Sequence, residues 1–361
     1  MTEVTAFLYQ DDYLKYQFGP SHPFKPIREK DTLDLLRELG VFNGKAEHRL
    51  PRPAAKEDLL SVHTRDYVEY VQRMCAEGRG YLDYGDTPAA HGLYEGSLAV
   101  VGGSLLGAKL IMEGEVDHAF NPGGGLHHAR ADRASGFCVF NDIAVAIRFL
   151  QRRYGLKRIA VIDIDGHHGD GTQDIFYEEP ILTISTHRRG IFPGTGYIDE
   201  VGKGAGHGFA VNIPLPEATF HDAYLYAFQE VVPPLVKAYD PELIISQFGV
   251  DGHYLDPLVG LALTTATYAE VSQILHDLAH RYAKGRLLVV GGGGYNQRTV
   301  AKCWTIMFAT ISHALPEASQ QRYEELFDSE VRFRDERVLD EVKDTVQRLK
   351  DVVFPLHGLT A

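Results

Sequence analysis

Short runs of aliphatic and β-branched residues alternate along the chain with longer segments of helical period, and this alternation predicts an α/β protein. Strands are expected over residues 4–9, 117–120, 158–164, 181–185, 209–213, 242–247 and 286–290. Helices are expected over 31–39, as a pair within 56–78, and over 93–112, 143–153, 224–236, 268–282 and 299–312. The strand, helix and strand between 117 and 164 have the spacing of a βαβ unit, which implies parallel pairing. Helix 93–112 carries Gly102, Gly103, Gly107 and Ala108, so it must pack closely on something flat. From Pro316 onward the pattern is amphipathic and helical, with no linker, repeat or low-complexity segment. Residues 1–361 therefore read as one three-layer α/β domain around a mainly parallel central sheet.

The polar residues that break this pattern gather where strands end. Val161-Ile162-Asp163-Ile164-Asp165-Gly166-His167-His168-Gly169-Asp170-Gly171 begins as a buried strand and then places three carboxylates and two imidazoles within a few residues. Buried ionised carboxylates cost several kcal/mol each unless a metal or hydrogen bonds compensate, so a cation is the economical reading. Residues two apart in an extended chain point the same way, which lets Asp163, Asp165 and His167 share one side of the strand exit. A second pair of histidines follows the strand at 117–120, in Asn121-Pro122-Gly123-Gly124-Gly125-Leu126-His127-His128-Ala129. Its glycines do not form a phosphate loop, because no GxGxxG and no Lys-Ser/Thr accompanies them. Asp251 stands just past the strand at 242–247, and four glycines after the last strand lead to Tyr295. Thus the strands ending near 121, 164, 247 and 290 each carry their unusual residues beyond the carboxyl end, where open parallel sheets bind ligands. Two further residues read blandly on their own: Arg28, after Pro23 and Pro26, as a surface cation, and Asp86, in the loop 80–88, as an Asx turn.

Composition narrows the chemistry. A formal net charge of −13, with no clustered Lys/Arg stripe, argues against a nucleic-acid surface. Cys75, Cys138 and Cys303 are widely spaced and form no CxxC, so neither a disulfide framework nor a thiolate zinc site is indicated, and a reducing cytoplasm fits. The start Met1-Thr2-Glu3-Val4 has no basic, apolar leader, and no uninterrupted apolar run has membrane-spanning length. A homo-oligomer is compatible with the sequence.

Asp165, His167 and Asp251 would give a mixed oxygen and nitrogen site with open positions, suited to zinc or ferrous iron and to catalysis. Such a metal lowers the pKa of its water and polarises a carbonyl. Either His127 or His128 could accept the water's proton, Asp163 and Asp170 are candidates to orient the imidazoles, and Tyr295 could donate to the developing oxyanion. Amide hydrolysis needs these parts and little else.

Asp163-x-Asp165-x-His167-His168-Gly169-Asp170-Gly171, Gly123 to Ala129, Ser135-Gly136-Phe137-Cys138, Phe192-Pro193-Gly194-Thr195-Gly196 and Gly291 to Asn296 together resemble the motifs of the zinc-dependent histone deacetylase family. Bacterial and archaeal members of the acetoin-utilisation type are the nearest in character. The resemblance spans roughly residues 19 to 305 and implies the arginase/deacetylase fold, with hydrolysis of acetyl-lysine-type amides. It implies Asp165, His167 and Asp251 as metal ligands and His127 and His128 as the tandem pair, with His128 the general base. Asp163 and Asp170 become partners of that pair, and Tyr295 the carbonyl-polarising phenol. Gly136, Phe137, Phe192 and Leu258 would line the substrate tunnel, Asp86 would hold the substrate backbone, and Arg28 would lie at the inner channel. A structural K+ is expected near Asp163, Asp165, His167 and Ser185. Gly166 and Leu126 replace larger residues of the eukaryotic enzymes, which implies a differently shaped pocket. Leu258, after Asp256-Pro257, lacks the acidic gatekeeper of polyamine-deacetylating relatives, so acetyl-lysine peptides or proteins lead and acetylpolyamines or other small acyl-amides are the alternative. A catalytically silent acyl-lysine binder is the remote alternative.

Overall fold

The computed structural model describes residues 4–329 and 333–360. Met1 to Glu3, on which the reading of a missing leader mostly rests, lie outside the described residues. Eight strands form one sheet: β1 (Thr5–Leu8), β2 (Ala46–Arg49), β3 (His118–Asn121), β4 (Ile159–Asp163), β5 (Leu182–Arg188), β6 (Ala210–Leu215), β7 (Leu243–Gln247) and β8 (Leu287–Val290). Their spatial order is β2-β1-β3-β8-β7-β4-β5-β6, and every pairing is parallel, so the sheet is wholly rather than mainly parallel. The main helices are α1 (Ile27–Glu38), α2 (Lys56–Leu59), α3 (Arg65–Glu77), α4 (Leu93–Met112), α5 (Asp142–Tyr154), α6 (Asp170–Ile175), α7 (His221–Tyr239), α8 (Thr265–Tyr282), α9 (Gln297–Ser312), α10 (Gln320–Glu324) and α11 (Glu336–Val353).

Parallel strands covered on both faces must be apolar throughout, and β4, β7 and β8 are runs of Ile, Val and Leu with their side chains shared between two cores. On one face Ala6, Leu8, Ala119, Val161, Ile245 and Leu288 pack with α4 and α5. On the other, Phe7, Phe120, Ile162, Ile244 and Val289 meet α1, α7, α8, α9 and α11. The small residues of α4 do what their pattern demands. A side chain at Gly107 would collide with Leu288, and one at Gly102 would lie 2.0 Å from the Arg52 carbonyl oxygen. Among the described residues α4 alone is long and apolar enough to cross a membrane, but 67% of its most apolar stretch is buried within the protein.

Candidate active site

The four strands singled out by their polar ends are the four central neighbours β3, β8, β7 and β4. Their register sets Asn121 beside Val290, Val290 beside Gln247 and Gln247 beside Asp163, a row from which the following loops converge. His127 Nδ1 lies 2.7 Å from Asp163 Oδ2, and His128 Nδ1 lies 2.7 Å from Asp170 Oδ1. The two Nε2 atoms approach to 3.1 Å, so both rings turn the same edge toward the centre. Across from them, His167 Nδ1 is 2.8 Å from Asp251 Oδ2 and 3.2 Å from Asp165 Oδ1. One donor atom from each of Asp165, His167 and Asp251 lies within 4.8 Å of the others.

The remaining oxygens of these carboxylates are held by the backbone and one amide. Asp165 Oδ2 accepts from Gly293 N at 2.7 Å and from Gln247 Nε2 at 2.8 Å, while Gly166 N donates to Asp251 Oδ1 at 2.7 Å. Both carboxylates are fully buried. Burial opposes ionisation of Asp165, yet His127 and His167 hold it well below the usual carboxylate range. Burial and the charge of Asp165 push Asp251 up to about 7. Two buried acidic groups with an imidazole between them form a donor set that fits a divalent cation with oxygen and nitrogen preference. Asp163 is not part of it: its oxygens serve His127 and the Asp165 peptide N–H (3.1 Å), so the three same-side residues of the strand exit do not all face one point. The chain pivots at this exit, and extended-strand geometry no longer applies beyond Asp163.

Environment separates the tandem histidines. Burial would lower both, but Asp163 and Asp165 raise His127 to about 9. Burial and the neighbouring His127 lower His128 to about 4, against the pull of Asp170. The surroundings thus favour the charged form of His127 and the neutral form of His128.

A cavity of about 270 Å³ opens onto this centre, lined by Asp86, His128, Gly136, Phe137, His167, Ile191, Phe192, Leu258 and Tyr295. The Phe192 ring stands 5.0 Å from His128, and Phe137 lies 5.8 Å from Tyr295, both edge-on. Phe137 is held at φ 67°, an unfavourable value for a bulky residue, by two hydrogen bonds: its N–H to Thr87 Oγ1 and its carbonyl from the Tyr16 hydroxyl. At the mouth, Asp83 rather than Asp86 makes the Asx turn, accepting from the N–H groups of Gly85, Asp86 and Thr87. That leaves Asp86 at the cavity, its carboxyl raised to about 7 by partial burial and by Asp83. A larger surface hollow of about 540 Å³, lined by Tyr67, Tyr70, Asp83 and Arg133 among others, contains none of the candidate residues.

Arg28 is not a surface residue. It is 2% exposed, with its guanidinium carbon 4.4 Å from the Phe24 ring centre and 5.0 Å from that of Trp304. Its Nη1 donates to the Gly294 carbonyl at 2.7 Å, one residue before Tyr295 and outside the lining of the cavity. His168 also departs from its neighbour, facing Thr195 Oγ1 (2.8 Å) and Gln173 Oε1 (3.1 Å) instead of the centre. Residues that sequence reasoning left unassigned complete the site. Gln247 holds Asp165, Asp256 accepts from Tyr295 N at 2.7 Å, and Asp142 accepts from Gly125 N and Leu126 N ahead of the tandem pair. A polar residue closing an otherwise apolar strand was the available signal for Gln247; Asp142 looked like part of a helix start.

Residues 22–311 match the histone deacetylase domain family. The chain is 42% identical over 311 residues to "Acetoin utilization protein AcuC" of Bacillus subtilis (strain 168), covering 83% of this chain and 80% of that protein. It is 39% identical over 298 residues to "Probable deacetylase" of Archaeoglobus fulgidus, covering 81% and 82%. The solved structure titled "Crystal Structure of HDA15 HD domain" superposes with a TM-score of 0.84 at 30% identity, covering 99% of this chain and 97% of the other.

Proposed function

The chain belongs to the histone deacetylase family, and from that premise we propose that residues 1–361 form a single catalytic domain that removes acetyl groups from acetyl-lysine side chains. One observation carries the reading. One cavity is lined by the rings of Phe137 and Phe192 together with His128, His167 and Tyr295, so an extended apolar stem held between the rings would bring its amide to those polar groups.

Asp165, His167 and Asp251 are the proposed ligands of zinc, or of ferrous iron, which when bound would polarise the amide carbonyl and acidify a water. His128 is the proposed general base: it is neutral at pH 7, and Asp170 fixes its ring so that Nε2 faces the cavity end. The same group, once protonated, delivers the proton to the departing lysine nitrogen. His127, charged and anchored on Asp163, stabilises negative charge on the reacting carbon's oxygens. Tyr295 donates its phenolic hydrogen to the developing oxyanion, and Asp256 fixes its backbone. At the mouth, ionised Asp86 accepts hydrogen bonds from the substrate's peptide N–H groups, and Gly136 and Leu258 complete the rim. Arg28 stiffens the Tyr295 loop from behind through Gly294. A structural K+ would take backbone oxygens near Asp163, Asp165, His167 and Ser185, where β4 and β5 pair Asp163 with Ser185. Three buried free cysteines favour a cytoplasmic protein, and a formal net charge of −13 disfavours action on nucleic acid.

Zinc- or iron-loaded protein should release acetate from acetyl-lysine peptides, and a hydroxamate should block it; no such turnover overturns the proposal. Comparing acetyl-lysine peptide with acetylputrescine separates the leading substrate class from small acetylated amines. Leu258, apolar and 41% exposed at the rim, favours the peptide.

A further inference from the structure

A second group of histidines lies away from the catalytic end of the sheet. His118 opens β3, three residues before Asn121 in the row that carries the active site, and its side chain points to the face covered by α8. His276 and His280 stand one helical turn apart on α8 and so share one side of that helix. The three ring centres are 4.4 to 5.2 Å apart, and one nitrogen from each ring lies within 4.8 Å of the others. His118 Nε2 and His280 Nε2 are separated by 3.3 Å. Zinc–nitrogen bonds of about 2.0–2.1 Å in a tetrahedral site put neighbouring ligand nitrogens about 3.3–3.4 Å apart, so this pair already has the spacing of two ligands on one ion.

Burial grades across the group. His118 is fully buried, His276 nearly so and His280 exposed, which provides a dry floor and a route in from solvent. Thr5, the register neighbour of His118 on β1, buries a hydroxyl that has no hydrogen-bond partner among the described residues. Each ring also has neighbours of its own, such as Asp277 Oδ1 at 3.8 Å from His276 Nδ1 and the His313 ring at 4.8 Å, and neighbours of this kind orient metal-binding imidazoles.

We propose that His118, His276 and His280 form a second binding site for a borderline-soft divalent cation of the zinc class, one that ties α8 to the start of β3 independently of the catalytic centre.

Tag-free full-length protein, stripped with a chelator and dialysed against zinc alone, tests the assignment by metal counting. Wild type should hold about two zinc ions per chain, and His280→Ala and Asp165→Ala about one each. Zinc should raise the thermal midpoint of Asp165→Ala by several degrees and leave that of the Asp165→Ala/His280→Ala double variant nearly unchanged. Because His280 is exposed, its zinc-free variant should melt with the zinc-free wild type, which separates ligand loss from misfolding. A single ion per wild-type chain, or a second ion that survives His280→Ala, overturns the site and leaves the deacetylase reading untouched.

Discussion

Replacing Tyr295 by Phe removes one oxygen atom from the proposed machinery and disturbs little else. The ring keeps its edge contact with Phe137 at 5.8 Å, the backbone keeps the 2.7 Å bond from its N–H to Asp256, and Gly294 keeps its bond to Arg28. The hydroxyl makes no hydrogen bond with any described residue, so its removal leaves no buried partner unsatisfied, and stability should stay within about 0.5 kcal/mol of wild type. In the transition state, by contrast, a missing oxyanion donor costs about 2.7–4 kcal/mol, a fall of roughly 10²–10³ in kcat. The assay is steady-state hydrolysis of an acetyl-lysine peptide, with hydroxamate affinity and a denaturant titration on the same samples. KM and the denaturation midpoint should hold while kcat falls. A kcat within about tenfold of wild type would refute the oxyanion role, since the lost energy would then be below the donor range.

Gly293→Ala would bring a methyl carbon to 2.3 Å from Asp251 Oδ2 and 2.8 Å from Asp165 Oδ2, so both proposed ligands must move; chelator competition should show metal affinity down by at least about tenfold. Gly102→Ala meets backbone instead, and should lower the unfolding free energy by roughly 1–3 kcal/mol in urea without changing KM. Burial raises the Glu29 carboxyl to about 8 despite Arg28, so the folded state holds a proton that the unfolded state loses near its ordinary value; stability falls as pH rises toward 8, and Glu29→Gln should remove that fall, by on the order of a few kcal/mol at pH 9 and almost nothing at pH 4. Asp86 must be ionised to accept two peptide N–H groups, so KM for a peptide should drop as pH rises through about 7, and Asp86→Asn should flatten that dependence.

The strands that matter for chemistry were legible because buried parallel strands are uninterrupted apolar runs, and a histidine or aspartate just beyond one has few bland explanations. β2 escaped notice for the converse reason: Ala46-Glu47-His48-Arg49 is an edge strand paired only with β1, and its three polar side chains carry no apolar signature. From its own neighbourhood in the chain Arg28 read as a surface cation, because the two rings that shelter it include Trp304, on a helix distant in sequence; only the family resemblance moved it inward. Strand alternation alone grouped Asp163 with Asp165 and His167, whereas the need of each imidazole for an orienting partner pointed to the tandem histidines; Asp163 lies 2.7 Å from His127, brought near by the pairing of β3 and β4 through β8 and β7. His118 and His280, 162 residues apart, were not paired by any local pattern at all.

Charge balance explains why the centre needs so many acids. Asp163 faces His127, which it keeps charged, and Asp170 divides its oxygens between His128 and Arg130, with Arg130 Nη2 at 2.9 Å. Asp163 therefore has a cation of its own, and Asp170 shares Arg130 with Asp174. Asp165 and Asp251 share only His167 besides the neutral dipoles of the peptide N–H groups and Gln247, and a metal-binding His167 would contribute a lone pair and no charge. The two buried carboxylates would then match one divalent cation, and with that ion counted the charges of the centre are offset while His128 carries none. The imidazole favoured in its neutral form is the one of the tandem pair that lines the cavity, so the same arrangement that makes burial of four carboxylates tolerable also leaves His128 there able to take a proton.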